Sequence, residues 1–274
     1  MKIVNADSRD VLGDYNDYFD LIVTSPPYAD ARKKFYDSVH PDDYKEWFVT
    51  FHKPFYDSLK DSGSLILNLN SRIVKGVRHR FVWHTIEAMS SLGWLCIDDY
   101  IWHKTNPIPG SWPNKLHDGW EYLFHLSKTK RPYFNKDKVK QPIGNWADTR
   151  LKNLSKADMA VQHSTTGSPF RRRMSDWVGK KSVLPSNVLH LSTENQNQGH
   201  PAVYPESIPE FFIKLLCPPD GVVCDPFGGS GTTGVIATKL GVECVLFEKE
   251  AKYCVVIQRR FLNEFGMEIA VFDK

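Results

Sequence analysis

Residues 221–241, GVVCDPFGGSGTTGVIATKLG, constrain the fold of this chain more than any other stretch. A short apolar run ends at Asp225-Pro226, a glycine-rich segment follows, and a helix-forming stretch opens at Thr232 or Thr233. Buried strand, tight turn and helix in that order make the opening of a parallel βα unit. Glycines at the turn let the backbone pass close to a ligand, and the first helical turn offers N–H groups to an anion. The next apolar run, CVLFEKE, ends at Glu248, 19 residues after Gly229. In nucleotide-type α/β sites an acid at the end of that second strand accepts hydrogen bonds from ribose hydroxyls. Gly229, Gly231 and Gly234 also spell G-x-G-x-x-G, the fingerprint of a nicotinamide dinucleotide enzyme.

The remainder of the chain supplies further strands and helices. KIVN, DLIVTS, SLILNLN (64–70), CIDDYIWHK (96–104) and EYLFHLSK (121–128) read as strands. Apolar residues at 44, 47, 48, 51, 55 and 59 predict one helix within residues 40–60, closing on Ser62-Gly63. RFVWHTIEAMSSLGW reads as a helix ending at Gly93, SIPEFFIKLL as an amphipathic helix, and AKYCVVIQRRFLNEF as a last one. From about 129 to 198 the periodicity fades into polar, basic, Gly- and Pro-punctuated sequence. The alternation predicts an α/β fold of Rossmann-like type, a mostly parallel sheet with helices on both faces and a loop-rich insertion.

Charge singles out the same insertion. Residues 128–181 hold 14 Lys or Arg against four acids, a balance of +10 that leaves −7 for the rest of the +3 chain. Such segregation points to a polyanion partner for one region. Lys138, Lys140, Arg171, Arg172, Arg173, Lys180 and Lys181 are the candidate phosphate contacts. No window approaches the length of a membrane span, and MKIVNADSRDVL turns polar too early for a secretory signal. The five cysteines form no C-x-x-C pair, so buried free thiols in a reducing cytoplasm and no metal site are expected.

LIVTSPPYAD (21–30) carries the chemistry. Ser25, Pro26, Pro27 and Tyr28 follow a strand, which puts them at the carboxyl edge of the sheet where ligands bind. Neither proline has an N–H, so the turn presents carbonyl oxygens and the Ser25 hydroxyl without competing backbone donors. Clustered acceptors suit an exocyclic amino group, and Tyr28 offers a flat face to a planar base.

TSPPY (24–28) followed far downstream by DPFGGSGTT (225–233) resembles the amino-methylating DNA methyltransferases that use S-adenosylmethionine. The order, catalytic tetrapeptide first and cofactor loop last, resembles their β-type, circularly permuted arrangement. NADSRDVL, LKDSGSLILNLN, IWHKTNPIP, EYLFHLSK and HPAVYPESIPEFFIKLLCPPDGVVCDPF are similar to further segments of that family, in the same order.

The resemblance implies that residues 1–128 form the catalytic part of the core, 129–198 a target-recognition region, and 199–274 the cofactor-binding part. It implies that Asp225, Phe227, Gly228, Gly229, Ser230, Gly231 and Thr232 hold the methionine end of the cofactor. Glu248 would take the ribose, Asp7 would lie near the adenine, and Ser25, Pro26, Pro27 and Tyr28 would form the base pocket. Many members carry Asp at the head of the tetrapeptide. This chain has Ser25, a form associated mainly with cytosine N4, whereas the Asp form goes with adenine N6.

The implied activity is site-specific methylation of cytosine N4 in double-stranded DNA within a restriction-modification system. A cognate endonuclease would be its companion, in the cytoplasm of a prokaryote or phage host, with the enzyme a monomer or homodimer. A base in a duplex must be flipped out to be reached. No covalent nucleophile is required, and the chain lacks the Pro-Cys dipeptide of ring-carbon cytosine methyltransferases. Three other readings compete. An adenine-N6 enzyme of the same fold differs only in its product. A nicotinamide oxidoreductase accounts for the glycine loop alone. A non-catalytic DNA-binding protein leaves two intact motifs unexplained.

Overall fold

The computed structural model describes residues 1–30, 38–107, 109–110, 113–160, 162–163, 171–172, 174–193 and 204–274. Nine strands form one sheet: β1 (Lys2–Asn5), β2 (Phe19–Thr24), β3 (Leu59–Leu69), β4 (Leu95–Lys104), β5 (Trp120–Ser127), β6 (Val188–Leu191), β7 (Val222–Asp225), β8 (Glu243–Glu248) and β9 (Val271–Asp273). Their order across the sheet is β6-β4-β5-β3-β2-β7-β8-β1-β9. Only β5 opposes its neighbours, pairing antiparallel with β3 and β4, so the sheet is mostly parallel as expected. The carboxyl ends of β1, β2, β3, β4, β7 and β8 and the amino end of β5 therefore share one edge. The permuted motif order is built into this layout, since β2 of the catalytic half lies directly against β7 of the cofactor half.

Strand burial explains the apolar runs. Leu65, Leu67 and Leu69 of β3 join a cluster with Phe48, Phe55, Phe81 and Trp94, while Ile66 between them is equally buried but outside that cluster. Both faces of the strand are covered, so its sequence cannot alternate with polar residues. The helices are α1 (Ser8–Val11), α2 (Tyr44–Val49), α3 (His52–Ser58), α4 (Phe81–Ser91), α5 (Ser207–Leu216), α6 (Thr232–Lys239) and α7 (Ala251–Phe265).

The structure redraws the stretch before β3. The single helix expected over 40–60 is two, α2 and α3, and β3 already begins at Leu59. Leu59 pairs with Phe19 and Ser64 with Leu21, so the ladder is irregular across residues 60–63 and Ser62-Gly63 lies inside the strand. A Cβ on Gly63 would sit 2.7 Å from the Leu59 side chain and 3.0 Å from the Asp20 carbonyl oxygen. Glycine is there for that close approach and does not end a helix. The short edge strand β9 carried too little periodicity to be read from the sequence.

Residues Lys136–Ser186 form a separate compact unit. Two short helices, Trp146–Arg150 and Lys156–Met159, are tied by the Arg150–Asp158 ion pair and a capping box at Ser155. Gln141–Pro142 pairs with Ser182–Val183, and Gln162–His163 with Arg171–Arg172. Val188–Leu191, within the segment that reads as irregular, instead supplies β6 of the main sheet.

Candidate active site

The carboxyl edge gathers the residues that the sequence singled out. Thr24, the last residue of β2, donates its hydroxyl proton to Asp225 Oδ1 at 2.7 Å. Asp225 Oδ2 accepts from Thr233 at 2.6 Å, and Oδ1 also accepts from the Phe227 N–H at 3.1 Å. Tyr204 hydrogen-bonds Thr233 as well. Asp225 is 1 % exposed, and burial pushes its carboxyl up to about 6 against the pull of these donors. With its oxygens occupied by the protein, Asp225 braces the base of the glycine loop. It thereby joins the SPPY turn to the cofactor turn across 201 residues of chain.

The loop itself is built by glycine. Gly229 and Gly231 have φ of 52° and 79°, the left-handed region that side chains avoid. A Cβ on Gly228 would meet the Phe247 carbonyl oxygen at 3.2 Å, and one on Gly231 would meet Ile257 at 2.9 Å. Behind the loop, Arg260, only 7 % exposed, donates to Thr232 Oγ1 at 3.0 Å and pairs with Glu206 and Glu264. Ser230 and Thr232 hydroxyls lie 3.3 Å apart and buried. Their side chains thus hold the loop shape, and no side chain caps the start of α6.

Glu248, at the end of β8, accepts from the Gly229 N–H at 2.7 Å and from the Glu250 N–H at 2.8 Å. Burial raises its carboxyl to about 7, with those two N–H groups pulling the other way. Asp7 follows β1 on the same edge. It caps α1 through the Arg9 N–H and pairs with the Arg9 guanidinium at 2.6 Å, which holds its carboxyl below the usual range against burial. The Arg9 guanidinium lies over the Phe51 ring, and Phe51 packs on Phe227 with ring centres 5.0 Å apart. Phe227 remains partly exposed, so one flank of the cleft is aromatic.

A second cluster surrounds the SPPY turn. The Ser25 hydroxyl donates to the Tyr28 hydroxyl over a long 3.3 Å, and Tyr28 donates to Glu121 Oε2 at 2.6 Å. Asn68 donates to the same Glu121 oxygen at 3.1 Å and to the Tyr122 carbonyl at 3.0 Å, while its own carbonyl lies 2.9 Å from the Tyr28 hydroxyl. Lys104 pairs with the other Glu121 oxygen at 2.7 Å. Burial first, then the Glu121 charge, push the Tyr28 phenol well above its ordinary value, so it remains a proton donor. The Pro27 carbonyl is taken by the Tyr44 hydroxyl at 3.0 Å. Both hydroxyls of this relay, Ser25 and Tyr28, point their protons inward, which leaves the Ser25 lone pairs as acceptors toward a ligand.

Sequence reading missed Asn68, Glu121 and Lys104. The one available signal was polar residues at the ends of otherwise apolar strands, and strand order alone decides that they meet Tyr28. Among the described residues no group of three or more His, Cys, Asp or Glu is arranged to hold a metal. Cys217, Cys224, Cys244 and Cys254 are buried free thiols as expected, and Cys96 is exposed.

The candidate DNA contacts lie in the Lys136–Ser186 unit. Lys138, Lys140, Lys180 and Lys181 are exposed there; Lys140 pairs with Asp137, and the Lys180 ammonium sits 4.6 Å from the Trp177 ring centre. Arg171 and Arg172 form a strand of a short ladder, and Arg173 lies outside the described residues.

A buried acid at the second strand end, a glycine turn and an acceptor-rich proline turn thus share one sheet edge, the arrangement of a nucleoside-type ligand site. A family profile described as a DNA methylase matches residues 19–259, and the chain belongs to that N6/N4 DNA methyltransferase family. Members of the family use S-adenosylmethionine.

The chain is 29% identical to the type II methyltransferase M.PvuII of Proteus hauseri, covering 98% of this chain and 85% of that protein. It is 27% identical to M.SmaI of Serratia marcescens, covering 96% and 91%. The solved PvuII DNA methyltransferase, described as cytosine-N4-specific, superposes with a TM-score of 0.72 at 26% identity over 96% of this chain and 86% of that one. A Thermus thermophilus protein complexed with S-adenosyl-L-methionine shares the fold, with a TM-score of 0.63 at 20% identity and 99% of each chain covered.

Proposed function

We propose that this enzyme methylates the exocyclic N4 amine of cytosine in double-stranded DNA. The observation that carries the reading is the direction of the hydrogen bonds at the SPPY turn. Ser25 gives its proton to Tyr28 and Tyr28 to Glu121, so Ser25 Oγ faces the pocket as an acceptor for an amine N–H. The Pro26 carbonyl has no neighbouring N–H from either proline to compete for it. Two acceptors pulling on the amine localise its lone pair, which is otherwise delocalised into the ring, and alignment does the remainder. The Tyr28 ring, fixed by its hydroxyl, stacks on the extruded base. The 26% sequence identity to the solved relative described as cytosine-N4-specific supports the choice of base.

S-adenosylmethionine, when bound, supplies an electrophilic sulfonium methyl. The residues fit such a group: a glycine turn in which a Cβ at Gly231 would clash with Ile257 and one at Gly228 would crowd the Phe247 carbonyl, and a buried carboxylate at Glu248. Glu248 would accept the ribose hydroxyls, Asp7 would lie toward the adenine and Phe227 toward the methionine end, and the N–H groups opening α6 would take the methionine carboxylate. Residues 136–186, within the 129–198 segment, would carry the target-recognition contacts, with Lys138, Lys140, Arg171, Arg172, Arg173, Lys180 and Lys181 as phosphate partners. The type II naming of the relatives supports a restriction-modification role beside an endonuclease of matching specificity.

Product analysis tests the base directly. DNA treated with the purified enzyme and labelled cofactor, digested to nucleosides, should yield N4-methylcytosine. N6-methyladenine as the product would reverse the assignment.

The cofactor reading predicts a pH dependence. The ribose is held by the carboxylate form of Glu248, whose carboxyl titrates at about 7, so protonation as the pH falls removes the better acceptor. The dissociation constant for S-adenosylhomocysteine should therefore rise as the pH is lowered from about 8 to about 6, levelling off at about tenfold, the loss expected for the neutral Glu248→Gln side chain. Glu248→Gln should flatten this profile. Calorimetry showing the same slope in wild type and variant would place the titrating group elsewhere, with Asp225 the next to examine.

A further inference from the structure

Residues 71–80, SRIVKGVRHR, hold four Arg or Lys and no acid, yet they lie in the main unit and outside the basic insertion. Ile73 pairs with Arg78 and Val74 with Val77, making a hairpin whose two-residue turn is Lys75-Gly76. Its base starts three residues beyond Asn68, and the β4–β5 loop passes Asp118 two residues before β5 opens at Trp120 and three before Glu121. Asn68 and Glu121 both hydrogen-bond the Tyr28 hydroxyl. Arg78 ties the hairpin to that loop by pairing with Asp118 while also bonding Ser71. Hairpin and loop therefore rise together from the rim of the proposed base pocket.

Two features of the hairpin work against local stability. Lys75 has φ of 48° and Gly76 of 80°, the paired left-handed conformation of a tight hairpin turn. Asn or Gly suits the first of those positions, and an unbranched cationic side chain is an unfavourable occupant. Arg80 stands at the N-cap of α4 without a capping bond, placing a positive charge at the positive end of the helix dipole. The cap is supplied by His79, whose Nδ1 accepts the Phe81 N–H at 3.1 Å. Arg72, Lys75 and Arg80 are all exposed, and among the described residues none of them has an ion-pair partner. Beside them Val77 is 70 % exposed and Leu116 of the neighbouring loop 87 %. Cations kept where they weaken the turn and the helix are explained by a polyanion that compensates them.

Building on the cytosine-methylation reading, we propose that the Ile73–Arg78 hairpin is a second DNA-contacting element. Arg72, Lys75 and Arg80 would neutralise backbone phosphates next to the extruded base, independently of the basic insertion. Each phosphate contact of this kind contributes about 0.9 to the slope of log affinity against log salt.

Lys75→Asn is the decisive variant, because asparagine tolerates the turn better than lysine while removing the charge. We expect it to keep cofactor affinity, weaken binding to a duplex substrate, and flatten the salt slope by about 0.9. A Lys75→Asn, Arg72→Ala, Arg80→Ala combination should flatten it by about three times as much. An unchanged slope in Lys75→Asn, with wild-type methylation of the same duplex intact, overturns the hairpin assignment alone. A wild-type protein that neither binds nor methylates duplex DNA would instead remove the reading beneath it.

Discussion

Tyr28→Ala is expected to lower single-turnover methyl transfer by about a hundredfold or more while cofactor affinity changes less than about twofold. Two losses combine. Stacking of a base on an aromatic ring is worth about 1–3 kcal/mol, and the extruded base has no other ring assigned to it. The hydroxyl removed is also the donor that meets Glu121 Oε2 at 2.6 Å and receives the Ser25 proton. Without it Glu121 keeps only Asn68 and Lys104, and Ser25 is released to turn its proton toward the amine it should be accepting from. Tyr28→Phe separates the two effects: it keeps the ring and should cost about tenfold, the scale of one buried hydrogen bond. The residues proposed for the cofactor follow β7 and β8, and the hydrogen bonds of Tyr28 all go elsewhere, so titration of the cofactor should be nearly blind to both variants. A parallel loss of cofactor affinity in Tyr28→Ala would show that the ring serves the cofactor lobe instead of the base.

Glu248→Ala should raise the cofactor dissociation constant by about a hundredfold and lower the melting temperature as well. The carboxylate accepts two backbone N–H groups, from Gly229 at 2.7 Å and Glu250 at 2.8 Å. Leaving such donors unsatisfied costs about 1–3 kcal/mol apiece, and the Gly229 bond also fixes the glycine turn against β8. The ribose would lose its acceptor at the same time. Glu248→Gln keeps an acceptor for one of the two N–H groups and most of the volume, so its loss should be smaller, near tenfold, with a fall in melting temperature between wild type and Glu248→Ala. Calorimetry and thermal unfolding measured on both variants check this. Unchanged affinity in Glu248→Ala would mean the ribose is held by another group.

Much of the site was legible because its parts are local. The glycine turn, the SPPY turn and Glu248 each occur at the end of a short apolar run, and a parallel strand carries its functional group at its carboxyl end. The split helix at residues 44–58 was not legible. Its apolar spacing continues without a break through Thr50 and Phe51, and only the pairing of Leu59 with Phe19 pulls the chain into the sheet early. Asn68, Lys104 and Glu121 were not legible either, since nothing near them in sequence distinguishes an interior charge pair from a solvated one.

The amino-acid sequence by itself determined seven of the nine strands, the glycine and SPPY turns and the permuted order in which they occur, because apolar runs, prolines and glycines act over a few residues. The tertiary structure alone decided which polar side chains share the interior: Thr24 with Asp225, and Tyr28 with Asn68, Glu121 and Lys104. A buried hydroxyl or carboxylate is tolerated only with a partner, and here each partner comes from a strand at least 40 residues away from the turn it serves. That pairing exists only once the sheet order β4-β5-β3-β2-β7 is in place.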